Sequence, residues 1–161
     1  MSELTGAVAL EQILKLDDIL SSMRKIKRQI KQGISGVSGF ELRKINDEEG
    51  DAGCALGFLL ENREKALKFI HAMAAENISL NYLYNGEPVY MQPQLLYQKS
   101  ADRSGFPFNQ FVPPVVYTKD MCPNSVKILA RNAILNISPK WTEQDAEDVI
   151  TAVKKVAPQV L

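Results

Sequence analysis

From Ser2 to Gln32 the chain contains no proline, and its apolar residues recur at helical spacing. Leu4, Val8, Leu10, Ile13, Leu14, Leu16, Ile19, Leu20, Met23, Ile26 and Ile30 mostly follow steps of three and four. Gly33 then supplies a C-terminal stop. At a rise of about 1.5 Å per residue, one helix over this span is roughly 45–50 Å long. That exceeds the diameter of a small domain. The apolar positions also spread widely around the first half of the helix. A single small domain leaves much of that surface bare, so the sequence predicts that part of it meets another domain or subunit.

The second half of the same run carries "RKIKRQIK", five basic residues in eight. One reading is a phosphate or nucleic-acid contact. The other is the wet face of an amphipathic helix whose buried stripe is Met23, Ile26 and Ile30, with cations placed to suit the C-terminal end of the macrodipole. Charge favours the second. The chain has 19 basic and 19 acidic residues and a formal net charge of zero, whereas nucleic-acid binders carry an excess of Lys and Arg.

With 161 residues, 45% of them hydrophobic and 24% charged, the chain is long enough to bury a core without disulfides or metals. Cys54 and Cys122 are too few and too far apart to form a disulfide framework, and they read as free thiols of a reducing compartment. No apolar run reaches transmembrane length. Glu3 and Gly6 stand where a signal peptide carries its charged leader region. The expected location is the cytoplasm.

Past Gly33, "ISGVSGFELRKI" reads as a Gly/Ser turn leading into a strand from Phe40 to Ile45. Phe40, Leu42 and Lys44 then share one face. "NDEEGDAG" is an acidic hairpin turn without calcium-loop spacing, and "CALGFLLEN" is an apolar strand. Asn62 caps the next helix, in which Leu67, Ile70, Met73 and Ala74 lie on one side. Strand, turn, strand and helix in this order predict a helix laid across an antiparallel sheet. His71, the single histidine, sits beside that apolar stripe and reads as structural or exposed.

The stretch from Ile78 to Pro123 is rich in tyrosine, proline, glycine and asparagine, with weak periodicity. Such a loop either binds a polar ring or simply wraps the domain. Pro123 opens a further helix, and "AILNI" is a short strand. The last segment is the clearest local signal. Thr142 as N-cap with Asp145 at N3 forms a capping-box-like start. Acidic residues occupy the first turns, Lys154 and Lys155 the last, and Val149, Ile150, Val153 and Val156 the buried stripe. Trp141 staples the entry.

Catalytic motifs are missing. One histidine so placed supports no Ser-His-Asp or Cys-His arrangement. There is no CxxC, HExxH, P-loop or dinucleotide glycine pattern, and hence no expected metal.

Several stretches taken together carry a family resemblance. "MSELTGAVALEQILKLDDILSSMRKI" resembles the helix that follows the Asn-x-Arg segment in the DegT/DnrJ/StrS sugar aminotransferases. "GFELRKINDEEGDAGCALGFLL" is similar to the first strands of that family's small domain, and "ALKFIHAMAAENI" to the helix after them. "GEPVY" and "QPQLLYQKSADRSGFPF" resemble its variable substrate-side loop. "YTKDMCPNSVKILARNAILNISPKWTEQDAEDVITAVKKV" resembles its terminal run. The order and spacing of these stretches across the whole chain carry the resemblance more than any one motif.

The resemblance implies an α+β piece of the aspartate-aminotransferase fold. Residues 1–33 are then a long interdomain helix, and residues 34–161 a small C-terminal domain, an antiparallel sheet covered by helices. It implies pyridoxal phosphate as cofactor of the complete enzyme, glutamate or glutamine as amino donor, and a keto sugar or nucleotide sugar as acceptor. In the family the Schiff-base lysine, the acid partner of the pyridine nitrogen and the phosphate cradle belong to the large domain, which has no counterpart here. Lys15, Lys25, Lys27 and Lys44 match no cofactor lysine, so no catalytic or cofactor-binding residue is assigned and no cofactor is expected on this chain alone. The expected partner is a large cofactor domain or a second subunit. On the substrate side the resemblance points to Ser2 and Glu3, near the dimer's active site, and to Tyr90, Gln94 and Arg103 in the loop that faces the sugar. The alternative is a stand-alone, non-catalytic domain that binds sugars or proteins.

Overall fold

A computed structural model describes residues 1–161, and in it the opening helix is two helices. α1 spans Glu3–Ile13 and α2 spans Leu16–Gly33. At the joint the chain tightens. Lys15 N–H bonds the Gln12 carbonyl three residues back at 3.2 Å, and the α-helical pattern resumes with Ile19 N–H on Lys15. This corrects the expectation of one unbroken helix, and the reason is packing. α1 buries no residue, so nothing holds it in line with α2. Asp17 and Asp18 fall in the first turn of α2, where carboxylates complement the positive end of a new helix dipole.

α2 is amphipathic in the expected register. Met23, Ile26 and Ile30 are buried, with Ile34 just beyond the helix. Lys27 is buried among them, which the expectation of a wholly wet basic face did not include.

β1 (Glu41–Leu42), β2 (Ala55–Leu59) and β3 (Asn132–Asn136) form a three-stranded antiparallel sheet in the order β1-β2-β3. Glu41 pairs with Leu59, and Ala55 to Leu59 pair with Asn136 to Asn132. β1 is shorter than the predicted six-residue strand, although Arg43 N–H still reaches the Gly57 carbonyl. Alternation decides the faces. Leu56 and Phe58 of β2 and Ala133 and Leu135 of β3 point into the core.

α3 (Arg63–Ala75), capped by Asn62, packs on β3, and α6 (Glu143–Val160) packs against both α2 and α3. The buried face of α3 is Ala66, Phe69 and Met73, with Leu67 and Ile70 at its edge. It is rotated from the predicted stripe because the Phe69 ring seeks its own kind. Phe58 lies 5.5 Å from Phe69 and 5.1 Å from Phe40, the latter edge-on. Burying a ring such as Phe58 stabilises by about 1.5–3 kcal/mol over leaving it in water. α6 keeps its predicted cap and buried stripe, but it runs on past Lys154 and Lys155 to Val160, so its last turn carries no cation. Thr142 and Asp145 form a reciprocal capping box, and Val149, Ile150, Val153 and Val156 are buried.

The 78–122 stretch folds into short turns on one edge of the sheet. Asn81 pairs with Ile134 in a single antiparallel bridge. Three-ten turns follow at Leu83–Gly86, Val89–Met91 and Phe108–Gln110, with a one-turn helix, α4 (Pro93–Leu96), among them. α5 (Pro123–Ala130) begins at its proline and leads into β3. No helix is long and apolar enough to cross a membrane.

Candidate functional site

Ser2 is the N-cap of α1. Its Oγ accepts from Thr5 N–H at 3.2 Å, and Glu3 follows in the first turn. Both are exposed. Tyr90 lies in the Val89–Met91 turn, and its hydroxyl donates to the Lys119 carbonyl at 2.9 Å, tying that turn to the segment ahead of α5. Gln94 is in α4 with its amide exposed. Arg103 stands in the turn from Ser100 to Gly105. The neighbouring Asp102 is committed to Ser104, whose N–H and Oγ it accepts at 2.9 and 2.8 Å. Those bonds hold the Asp102 carboxyl below its ordinary range. Arg103 thus keeps an exposed guanidinium with no carboxylate on it. No hydrogen bond or ion pair links Ser2 or Glu3 to Tyr90, Gln94 or Arg103.

Sequence reasoning missed a feature just ahead of this group. Tyr84 (φ 51°, ψ 31°), Asn85 (φ 55°, ψ 27°) and Gly86 (φ 75°) are consecutive residues in the left-handed region. A side chain there costs about 1–2 kcal/mol per residue, less for asparagine. The turn is braced from beneath. A Cβ on Gly86 would stand 2.0 Å from the Tyr82 hydroxyl, and that hydroxyl donates to the Ala130 carbonyl at 2.7 Å. Burial raises the Tyr82 hydroxyl above its ordinary pKa, with Arg63 opposing and Glu87 adding, so it stays a protonated donor. The Arg63 guanidinium lies 6.0 Å from the centre of the Tyr82 ring. Only the glycine in "YNG" hinted at this, because left-handed tyrosine is not written in local sequence.

A second unforeseen feature is a charged cleft of about 550 Å³ between α2 and residues 48–51. Arg24, Lys27, Arg28 and Lys31 line it at helical spacing beside Asp17 of the same helix, and Glu48, Glu49 and Asp51 line it from the turn. The acidic hairpin turn closes on the basic helix. Lys27 Nζ donates to Asp51 Oδ2 at 2.7 Å, Arg24 Nε to the Asp51 carbonyl at 2.7 Å, and Lys31 Nζ to Glu48 Oε1 at 2.8 Å. Burial raises the Asp51 carboxyl, but the hydrogen bond and charge of Lys27 outweigh it. Gly53 N–H and Arg43 add to the effect, leaving Asp51 below its ordinary value.

These groups do not fit pyridoxal phosphate. An imine-forming lysine needs an amine free to attack an aldehyde, whereas Lys27 Nζ is already committed to Asp51 Oδ2. A phosphate dianion in the cleft would face Glu48, Glu49 and Asp51. No cluster of three or more His, Cys, Asp or Glu side chains gathers as a metal site.

Comparison with known proteins gives this geometry its context. The family model of the DegT/DnrJ/EryC1/StrS aminotransferases matches residues 1–154. Among solved structures, DesV of S. venezuelae, captured with a ketimine intermediate, is 17% identical with a TM-score of 0.72, over 94% of this chain and 35% of its own. PseC of Helicobacter pylori, an aminotransferase involved in pseudoaminic acid biosynthesis, is 12% identical with a TM-score of 0.70, over 99% of this chain and 38% of its own. The sugar aminotransferase CalS13 of Micromonospora echinospora is 15% identical with a TM-score of 0.66, over 96% and 35%. At these identities the likeness establishes a shared fold, and the chain spans little more than a third of each of these proteins. On the match over residues 1–154, the chain belongs to the DegT/DnrJ/EryC1/StrS aminotransferase family.

Proposed function

We propose that this chain is the C-terminal part of a sugar aminotransferase, supplying substrate-side and subunit contacts to a cofactor-bearing large domain. One observation carries the reading. The family match runs from residue 1 to residue 154, yet the chain spans only 35–38% of the solved proteins it resembles. The exposed apolar residues around α1 support it. Leu4, Val8, Leu10, Ile13 and Leu14 are 55–77% exposed, an arrangement that suits burial against another folded surface.

In this reading residues 1–33 form the connector between domains and residues 34–161 the small domain. The complete enzyme works in the cytoplasm as a dimer. Pyridoxal phosphate, when bound to the large domain, supplies the electron sink for moving an amino group from glutamate or glutamine to a keto sugar. This chain's residues handle the sugar. Tyr90 spends its proton on Lys119, so its oxygen is left to accept from a sugar hydroxyl. Gln94 offers both a donor and an acceptor. Arg103 pairs with a phosphate or carboxylate of a nucleotide sugar. Ser2 and Glu3 stand toward the active site of the dimer.

The test is reconstitution. The chain, joined to or mixed with a large domain of this family that carries the cofactor lysine, should form a stable complex and transfer nitrogen from glutamate to a keto sugar. A chain that stays monomeric and blind to every such domain would overturn the reading.

A further inference from the structure

The cations lining the cleft between α2 and residues 48–51 differ in what they hold. Lys27 and Lys31 each donate to a carboxylate, Asp51 at 2.7 Å and Glu48 at 2.8 Å. Arg24 and Arg28 have no carboxylate on them. Arg24 spends only Nε, on the neutral Asp51 carbonyl, and Arg28 makes no hydrogen bond or ion pair. Yet a free acid lines the same space, for Glu49 gives its backbone N–H to Asp47 and its carboxylate to nothing. The two ion pairs fix where Glu49 stands. The turn runs against the direction of the helix, with Glu48 beside Lys31 and Asp51 beside Lys27. Glu49 therefore comes between those anchors, just as Arg28 comes between Lys27 and Lys31. An arginine and a glutamate thus flank the open part of the cleft without meeting. Arg24 adds its two terminal nitrogens on the side of Arg28, since residues four apart share a helix face. Asp17 lines the far end, about 10 Å along the axis from Arg24.

We propose that this cleft binds a zwitterion, the head group of a free α-amino acid, a proposal independent of the aminotransferase reading. The carboxylate lies on Arg28 and the terminal nitrogens of Arg24, whose planar forks suit a carboxylate in two-point contact. The ammonium lies on Glu49. Charge decides against simpler ligands. An anion alone meets Glu48, Glu49 and Asp51, and a cation alone meets Arg24, Lys27, Arg28 and Lys31. A ligand with both charges is drawn by both walls and leaves the two internal ion pairs intact. Polarity decides against apolar ligands, because Leu20 is the single apolar residue on the wall. At about 550 Å³ the cleft lies within the range of small-molecule sites. It has room for a small or polar side chain beside Ser21, which is exposed on the same wall.

Titration of the full chain followed by amide NMR tests this with three probes: L-alanine, N-acetylalanine, which lacks the ammonium, and alaninamide, which lacks the carboxylate. L-Alanine should shift Arg28, Glu49 and Gly50. Each analogue should bind about 10-fold more weakly, the worth of one hydrogen bond to a charged group. Arg28→Gln should weaken L-alanine by about the same factor, and Glu49→Gln should remove its advantage over N-acetylalanine. Both variants should melt where the parent chain does, because neither side chain holds an ion pair in the fold. A lost signal then reports binding and not unfolding. N-Acetylalanine binding as tightly as L-alanine would reduce the cleft to an anion site. Shifts from none of the probes would leave its arginines as surface cations, and undiminished binding by Arg28→Gln would place the ligand elsewhere. Any of these results overturns the zwitterion site.

Discussion

Lys27 Nζ donates to Asp51 Oδ2 across 2.7 Å, with only 6% of the lysine side chain and 19% of the aspartate side chain exposed. This pair fastens the acidic turn after β1 to the helix before it. Asp51→Asn leaves a buried ammonium without its counter-charge and should destabilise the fold by about 2–4 kcal/mol. The double variant Lys27→Met/Asp51→Asn should recover most of that loss, since an apolar chain of similar length fills the same space. Urea unfolding of the three proteins measures both effects.

The same pair sets an acid limit. The folded Asp51 carboxyl titrates below its ordinary 3.8, so its contribution is fully present above the unfolded pKa. That contribution is lost as pH falls through the folded value. Unfolding free energy measured from pH 6 downward should drop below pH 4, and the drop should be shallower in Asp51→Asn.

Gly53 turns back against α2 with φ 77°, and a Cβ there would stand 2.7 Å from the Arg24 nitrogen and 2.8 Å from the Met23 carbonyl carbon. Both obstacles are helix backbone, which does not yield. Gly53→Ala should destabilise by about 2 kcal/mol or more, read from the urea midpoint. An unchanged midpoint would mean that the turn re-forms away from α2.

Thr142→Ala removes the hydroxyl that accepts Asp145 N–H at 3.3 Å and donates to Asp145 Oδ2 at 2.7 Å. The expected cost is about 1 kcal/mol, or roughly 2–4 °C in Tm for a domain of this size. Thermal unfolding followed by circular dichroism reads the shift directly.

On α1 the prediction separates folding from assembly. Ile13 is 65% exposed, so Ile13→Glu should alter stability by less than about 0.5 kcal/mol. It should still abolish binding to a large domain in the reconstitution assay. A large stability loss would place α1 against the chain's own core.

What could be read in the sequence was what is local. The α6 cap, its acidic first turn and its buried valines depend on residues three or four apart, and the structure keeps them, although the helix runs past Lys154 and Lys155 and ends without a cation. α3 was legible as a helix, but its inner face followed Phe69, whose partners Phe40 and Phe58 come from other elements. Lys27 looked like any other cation in "RKIKRQIK". Its burial depends on a carboxylate 24 positions later that only the fold brings near. The turn at Tyr84–Gly86 likewise lies over Tyr82, whose hydroxyl bonds the Ala130 carbonyl 48 positions away. Of the candidate site, the loop was legible, whereas the conformation that presents its ring was not.

The joint at Leu14–Lys15 has a practical consequence for protein engineering. The core grips α2 through Met23, Ile26 and Ile30 but has no hold on α1. Anything fused ahead of Glu3 would take its heading from its own docking surface. A rigid chimera would therefore need its splice point inside α2, near Ile19, where side chains first pack against the core.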